Sequence, residues 1–221
     1  MPKINAEILQ WARETAGFSI ETATKKLGLK DSKDISAVQK LRLLETGEVE
    51  PSRPLLVKMA KQYRRPLLTF YMSQPPKRGD RGEDFRTLPH GKLETEEALL
   101  DALIRNIKAR QGMLRSLIED EDDFIPVSFV GSKKTNDGIE GIATDIKQTI
   151  GFHLADFSSK PSPAAAFAYL RGVIEEAGVF VLLIGNLGSH HTTIDVSTFR
   201  GFALSDDIAP FIVINDQDAH A

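Results

Sequence analysis

Apolar positions recur at intervals of three and four through the first seventy residues, and the breaks between them fall at glycine. "NAEILQWARETAGFS" places Ile8, Leu9, Ala12 and Ala16 on one helical face, with Asn5 able to cap its start and Gly17 to stop it. "SIETATKKLGL" repeats the plan, with Ser19 as the cap, Ile20, Ala23 and Leu27 as the apolar stripe, and Gly28 as the stop. The polar insert "KDSKD" leads to "ISAVQKLRLLETGE", a third helix ending at Gly47. Pro51 and Ser52 open a fourth in "PSRPLLVKMAKQY", and "RRPLLTFYM" adds a short last turn. These elements predict an all-helical unit over residues 1–74. "SQPPKRGDRGED", rich in proline, glycine and charge, makes 75–93 a linker.

The pattern changes further on. Residues 94–119 predict a long amphipathic helix with Ala98, Leu99, Ala102, Leu103, Ile107 and Leu114 on one side, broken by the acidic "EDEDD". "NDGIEGIATDIKQTIGF" predicts a helix capped by Asn136 and Asp137. "SPAAAFAYLRGVIEEAG" predicts another, with Ser162 as N-cap, Pro163 in the first turn and Gly178 just past the end. "VFVLLIG" is apolar at successive positions and predicts a strand buried on both faces, and "FRGFALSDDIAPFIVIN" predicts two strands joined by a polar turn. The fold class is therefore α+β: an N-terminal all-α bundle, then an α+β domain over 94–221. A sheet that needs cover on both faces, ending close to the last residue, also predicts self-association into a homo-oligomer.

Composition narrows the chemistry. The 221-residue chain has no cysteine, which excludes disulfides, thiolate zinc sites and cysteine nucleophiles. "MPKINAEILQ" lacks the apolar stretch of a signal peptide, and "VFVLLIG" is far shorter than the ~20 residues needed to cross a bilayer. The expectation is a cytoplasmic protein with no membrane partner. The net charge of −3 is unevenly shared: residues 1–78 carry 15 Lys and Arg against 8 Asp and Glu, or +7, and residues 79–221 carry the other 13 against 23, or −10. A basic front and an acidic back predict two units with different partners.

The second and third helices hold Thr22, Thr24, Lys25, Lys26, Ser36, Gln39, Lys40 and Arg42. These residue types contact phosphates and base edges when a helix docks in the DNA major groove. The same chemistry also suits a small bundle whose lysines are simply solvated.

"WARETAGFSIETATKKLG" and "LETGEVEPSRPLLVKMAKQYRRPL" resemble the Xre/Cro-type helix-turn-helix family, with its Glu-x-Gly-x-x-x-Pro signature at Glu45, Gly47 and Pro51. The chain departs from that pattern at 29–38, where an insert precedes the expected recognition helix, and at Leu43, where the peptidase-fused variant often has Trp. The back of the chain resembles the ImmA/IrrE family of zinc metallopeptidases, through "DFRTLP" at 84–89 and "FRGFALSDDIAPFIVIN" at 199–215. The resemblance implies a DNA-binding regulator joined to a peptidase that cleaves a repressor. It also implies a helix carrying His-Glu-x-x-His after "IVIN". In that motif two His at i and i+4 hold one zinc ion and the Glu acts as general base.

The sequence contains no His-Glu-x-x-His. The peptidase-like domain is therefore expected to lack its metal-binding helix and to be catalytically inactive as given, with no catalytic or metal-binding residue to nominate. Zinc is expected only if that helix follows downstream. His90, His153, His190, His191 and His220 offer no i, i+4 pair. Asp84 and Arg86 suggest a salt bridge or cap that fixes the linker. "GSHHTTID" is too compact for a Ser-His-Asp triad, which is assembled in space. Arg200, Gly201, Phe202 and Ala203 are candidates for an edge strand that pairs with an extended substrate, with a core hairpin as the other reading. The expected partners are DNA and a repressor or antitoxin protein. The alternatives are a non-catalytic regulator whose degenerate peptidase domain senses or binds a partner, and a toxin–antitoxin component.

Overall fold

The computed structural model describes residues 3–76, 85–86, 94–121 and 125–218. The chain divides into two compact units, one formed by residues 1–80 with 90–102 and the other by 81–89 with 103–221. Most of the expected linker, 75–93, lies outside the described residues, as does Asp84.

The first unit holds α1 (Ala6–Glu14), α2 (Ile20–Leu27), α3 (Ala37–Glu45), α4 (Arg53–Gln62) and a 3-10 turn, Leu67–Tyr71. Each start is fixed by a short polar side chain. Asn5 accepts from the Glu7 amide, Ser19 from Thr22, Ser36 from Gln39 and Ser52 from Leu55. Gly28 ends α2 in the left-handed region, where glycine is free of the Cβ penalty. Ile8, Leu9, Ala12, Ala23, Leu27, Leu41, Leu56, Met59 and Phe70 form one core in which every one of these side chains is essentially inaccessible. The apolar stripes read from the sequence are the stripes that pack here.

Three features of the first unit are not local. Arg13 on α1 grips Glu45 at the end of α3 through two bonds, Nε to Oε1 at 2.7 Å and Nη2 to Oε2 at 3.0 Å. Its Nη1 also donates to the Phe18 carbonyl at 3.0 Å. The hydrogen bond from Glu45 raises the pKa of Arg13 against the opposing effect of burial. Gly47 sits at φ +79°, and a Cβ there would lie 3.2 Å from that of Ala6. Arg65 stacks over Trp11, 4.2 Å from the ring centre, while its Nη2 donates to Thr15 at 2.8 Å.

α5 (Glu94–Glu119) runs through the division between the units, which falls between Ala102 and Leu103. Leu100 and Ile104, rather than Leu99 and Leu114, join Ala98, Ala102, Leu103 and Ile107 as its buried positions. After it come α6 (Ile139–Thr149), α7 (Leu154–Ser158) and α8 (Pro163–Glu176). Ser162 caps α8 by accepting from Ala165. Asn136 and Asp137 do not cap α6: they lie in a 3-10 turn before Gly138, and the Asp137 carboxylate accepts from the Lys134 amide instead.

The sheet contains β1 (Phe85–Arg86), β2 (Phe180–Leu183), β3 (Gly201–Leu204) and β4 (Phe211–Ile214), in the order β1-β3-β4-β2. β3 pairs antiparallel with β1 and β4, and β2 runs parallel to β4. Two expectations need correcting. β2 is at an end of this order; Val181 is buried, Phe180 and Leu182 on the other face are half-buried, and Leu183 is 41% exposed, so its cover is incomplete. β3 and β4 alternate between buried and half-buried positions, Phe202, Leu204, Phe211 and Val213 facing the core. Their successive apolar residues therefore bury one face fully and the other in part.

The β3–β4 turn is tied to α5. Gln111 donates to the carbonyls of Leu204 and Ala209, at 3.1 and 2.8 Å. Arg115 reaches Asp206 at 2.8 Å and Asp207 at 3.0 Å. Beyond the sheet, Asn215 is buried and donates to the carbonyls of Ile194 and Phe199, both at 3.1 Å, while its oxygen accepts from Gln217. Gly185 admits this carboxamide, because a Cβ there would collide with it.

Candidate nucleic-acid interface

α2 and α3 pack on one another, α1 packs on α3, and α2 packs on α4. The eight residues nominated for DNA contact all fall on α2, on α3 or at the α3 cap, but the structure gives them different jobs. Thr22, Lys25, Lys26 and Arg42 are exposed. Lys26 also lies 5.0 Å over the Phe18 ring, which limits its swing without hiding its charge. Thr24 is withdrawn from the set: it is 4% exposed, and its hydroxyl donates to the Glu21 carbonyl at 2.8 Å.

The remaining three build the start of α3. Ser36 Oγ accepts from the Gln39 amide, and Gln39 Oε1 accepts from the Ser36 amide, a complete capping box. Lys40 Nζ donates to the Lys30 carbonyl at 2.7 Å. The insert supplies one more partner, since Asp31 Oδ1 accepts from the Ala37 amide at 2.6 Å. Free amides at a helix start attract phosphate. Here a carboxylate and a capping box already hold those of Ser36, Ala37 and Gln39. The positive charge on offer is therefore the side chains of Lys25, Lys26 and Arg42, not the backbone of α3.

Sequence reasoning missed Asp31 and the Arg13–Glu45 clamp. Asp31 sits six residues before its partner amide, beyond the usual capping window, and the clamp spans 32 residues. The only available signal was that Glu45 belongs to the Glu-x-Gly-x-x-x-Pro motif. The structure explains all three motif positions physically: Glu45 locks Arg13, Gly47 takes a left-handed turn against Ala6, and Pro51 is buried.

The substrate-strand candidates fare differently. Gly201, Phe202 and Ala203 lie in β3, and Arg200 precedes it, its guanidinium on Asp218 at 2.9 Å. β3 is not an open edge along its length, because Phe85 and Arg86 pair with Phe202 and Gly201. Arg86 thus has a backbone role in the sheet. His190 and His191 fall in a 3-10 turn with their rings 3.8 Å apart. Among the described residues no three His, Cys, Asp or Glu side chains cluster to hold a metal, and no helix is long and apolar enough to cross a membrane. No protein-family model matches the chain, and no curated protein or solved structure matches it significantly.

Proposed function

We propose that this protein is a DNA-binding transcriptional regulator of the Xre/Cro helix-turn-helix kind, joined to an ImmA/IrrE-like domain. One observation carries the reading. A compact five-element helical unit holds Lys25, Lys26 and Arg42 exposed on two mutually packed helices, in a segment of net charge +7. Clustered cations on one small helical unit are the electrostatic footprint of nucleic-acid binding. The proposal rests on the first unit and assigns no reaction to the second, in which no His-Glu-x-x-His occurs within residues 1–221.

The test is a gel-shift selection of genomic fragments by the full chain at ~50 mM salt, where phosphate contacts are least screened. Retention of a subset of fragments supports a regulator. No retention of any fragment refutes the DNA-binding assignment.

A further inference from the structure

Exposed cations of the first unit converge on one end of α2. Lys25 and Lys26 lie in its last turn, and Gly28 closes the helix in the left-handed region. A third ammonium reaches the same spot from α4, which packs on α2. A Cβ on Gly28 would lie 2.9 Å from Lys58 Nζ, so the glycine leaves the room that this ammonium occupies. Lys30 follows two residues beyond Gly28, and its carbonyl accepts from Lys40 Nζ, so two more cations flank the turn. Lys25, Lys26, Lys30 and Lys58 are all exposed, and among the described residues none of the four has a carboxylate within ion-pair distance.

A lysine near a helix C-terminus has a structural use, because it offsets the negative end of the macrodipole. That end carries only about half a negative charge, which one ammonium already outweighs. A second and a third ammonium there repel the first unless an anion sits among them. We propose that Lys58 of α4 binds a DNA backbone phosphate together with Lys25 and Lys26, so that α4, and not only the helix-turn-helix pair, holds the DNA. The inference rests on the DNA-binding reading above and adds to it a contact that neither α2 nor α3 supplies. Three points carry it: the placement of Nζ against Gly28, the lack of a carboxylate partner, and the convergence of cations from two helices on one turn. Ammonium groups grip phosphate as point charges and need no fixed fork geometry, which suits a site built from flexible lysines.

The experiment follows the full chain on a selected DNA fragment by anisotropy across a salt series, for the parent, Lys58→Ala, Lys58→Gln, Lys58→Arg and Lys147→Ala, with folding checked by Trp11 fluorescence. Lys147 is exposed on α6, so its variant removes the same charge from the second unit. Losing one phosphate contact in Lys58→Ala is expected to flatten the log–log slope by roughly 0.9 and to weaken binding roughly tenfold at ~50 mM salt. The loss should be equal for the selected fragment and an unrelated duplex, because a phosphate contact carries no sequence information. Lys58→Gln should behave as Lys58→Ala does, Lys58→Arg should keep the parent's slope, and Lys147→Ala should leave it unchanged. A folded Lys58→Ala or Lys58→Gln with the parent's slope overturns the inference; if Lys25→Ala/Lys26→Ala flattens the slope in the same series, the DNA-binding reading stands without it. Equal flattening by Lys147→Ala would trace the effect to net charge and also overturn it. Loss of affinity for the selected fragment alone would make Lys58 a reader of bases and overturn the phosphate assignment. A parent chain that retains no DNA at all would remove the DNA-binding reading itself, and the Lys58 contact with it.

Discussion

Replacing Glu45 by alanine would leave the Arg13 guanidinium in place with two of its four hydrogen bonds gone. The side chains are 11% and 7% exposed, so water cannot replace the lost partner. Removing one member of a buried pair costs about 3–5 kcal/mol, mostly from the stranded charge. The Phe18 carbonyl and the largely exposed Glu14 carboxylate, 3.4 Å away, still accept from Arg13, which places the effect at the low end, about 3 kcal/mol. In a helical unit of this size that is a fall in Tm of roughly 12–24 °C. The chain has a single tryptophan, Trp11, and it lies in the first unit beneath Arg65, so tryptophan fluorescence follows that unit's melting directly. A double change, Arg13→Met with Glu45→Leu, removes both charges and is expected to recover much of the loss. The reasoning is refuted if Glu45→Ala melts within a few degrees of the parent. It is also refuted if the double variant is as unstable as the sum of the single ones, since a shared charge penalty cannot then be the cause.

Other expectations follow from single contacts. Tyr63 is 1% exposed, its hydroxyl has no hydrogen-bond partner among the described residues, and burial pushes its pKa up; Tyr63→Phe should therefore cost nothing or raise Tm slightly. Gly47→Ala meets both the left-handed backbone and the Ala6 Cβ, and should destabilise the first unit by more than about 1 kcal/mol in the same fluorescence melt. Burial pushes the Asp206 carboxyl up, but the amides of Ala209 and Ile208 and the Arg115 guanidinium outweigh it and hold its pKa below the ordinary value. Its stabilisation is present in full above the unfolded-state value of about 3.9 and is lost as pH falls through the lower folded value. Calorimetry of Asp206→Asn should show a second-unit transition already weakened at pH 7 and less sensitive to acid than the parent's; equal acid sensitivity would contradict the assignment.

Much of the first unit was legible because its signals are local. Asn5, Ser19 and Ser52 each stand directly before an apolar stripe, and a cap bonds to amides two or three residues away. Asn136 and Asp137 have the same chemistry but failed as caps, since Asp137 turns back to Lys134 and Gly138 begins the helix. Periodicity misread β2 for a different reason. Consecutive apolar residues say that a strand tolerates burial, not that both faces are covered, and its place in the strand order is a long-range outcome. Of the residues nominated for DNA contact, Lys25, Lys26 and Arg42 are exposed, but composition could not show that Ser36 and Gln39 cap α3, that Lys40 bonds to the Lys30 carbonyl, or that Thr24 is inside. The β1–β3 pairing was invisible, because nothing in a two-residue segment points to a partner more than a hundred residues away.

Lys25, Lys26 and Arg42 are the exposed cations that the proposal assigns to the DNA backbone. The most direct measurement is the salt dependence of affinity for a selected DNA fragment, for the full chain and for Lys25→Ala/Lys26→Ala, with folding checked by Trp11 fluorescence. Each phosphate contact contributes roughly −0.9 to the log–log slope, so losing two should flatten the slope by about 1.8 and weaken binding most at low salt. An unchanged slope in the folded double variant would show that these lysines do not touch DNA, and would contradict the account.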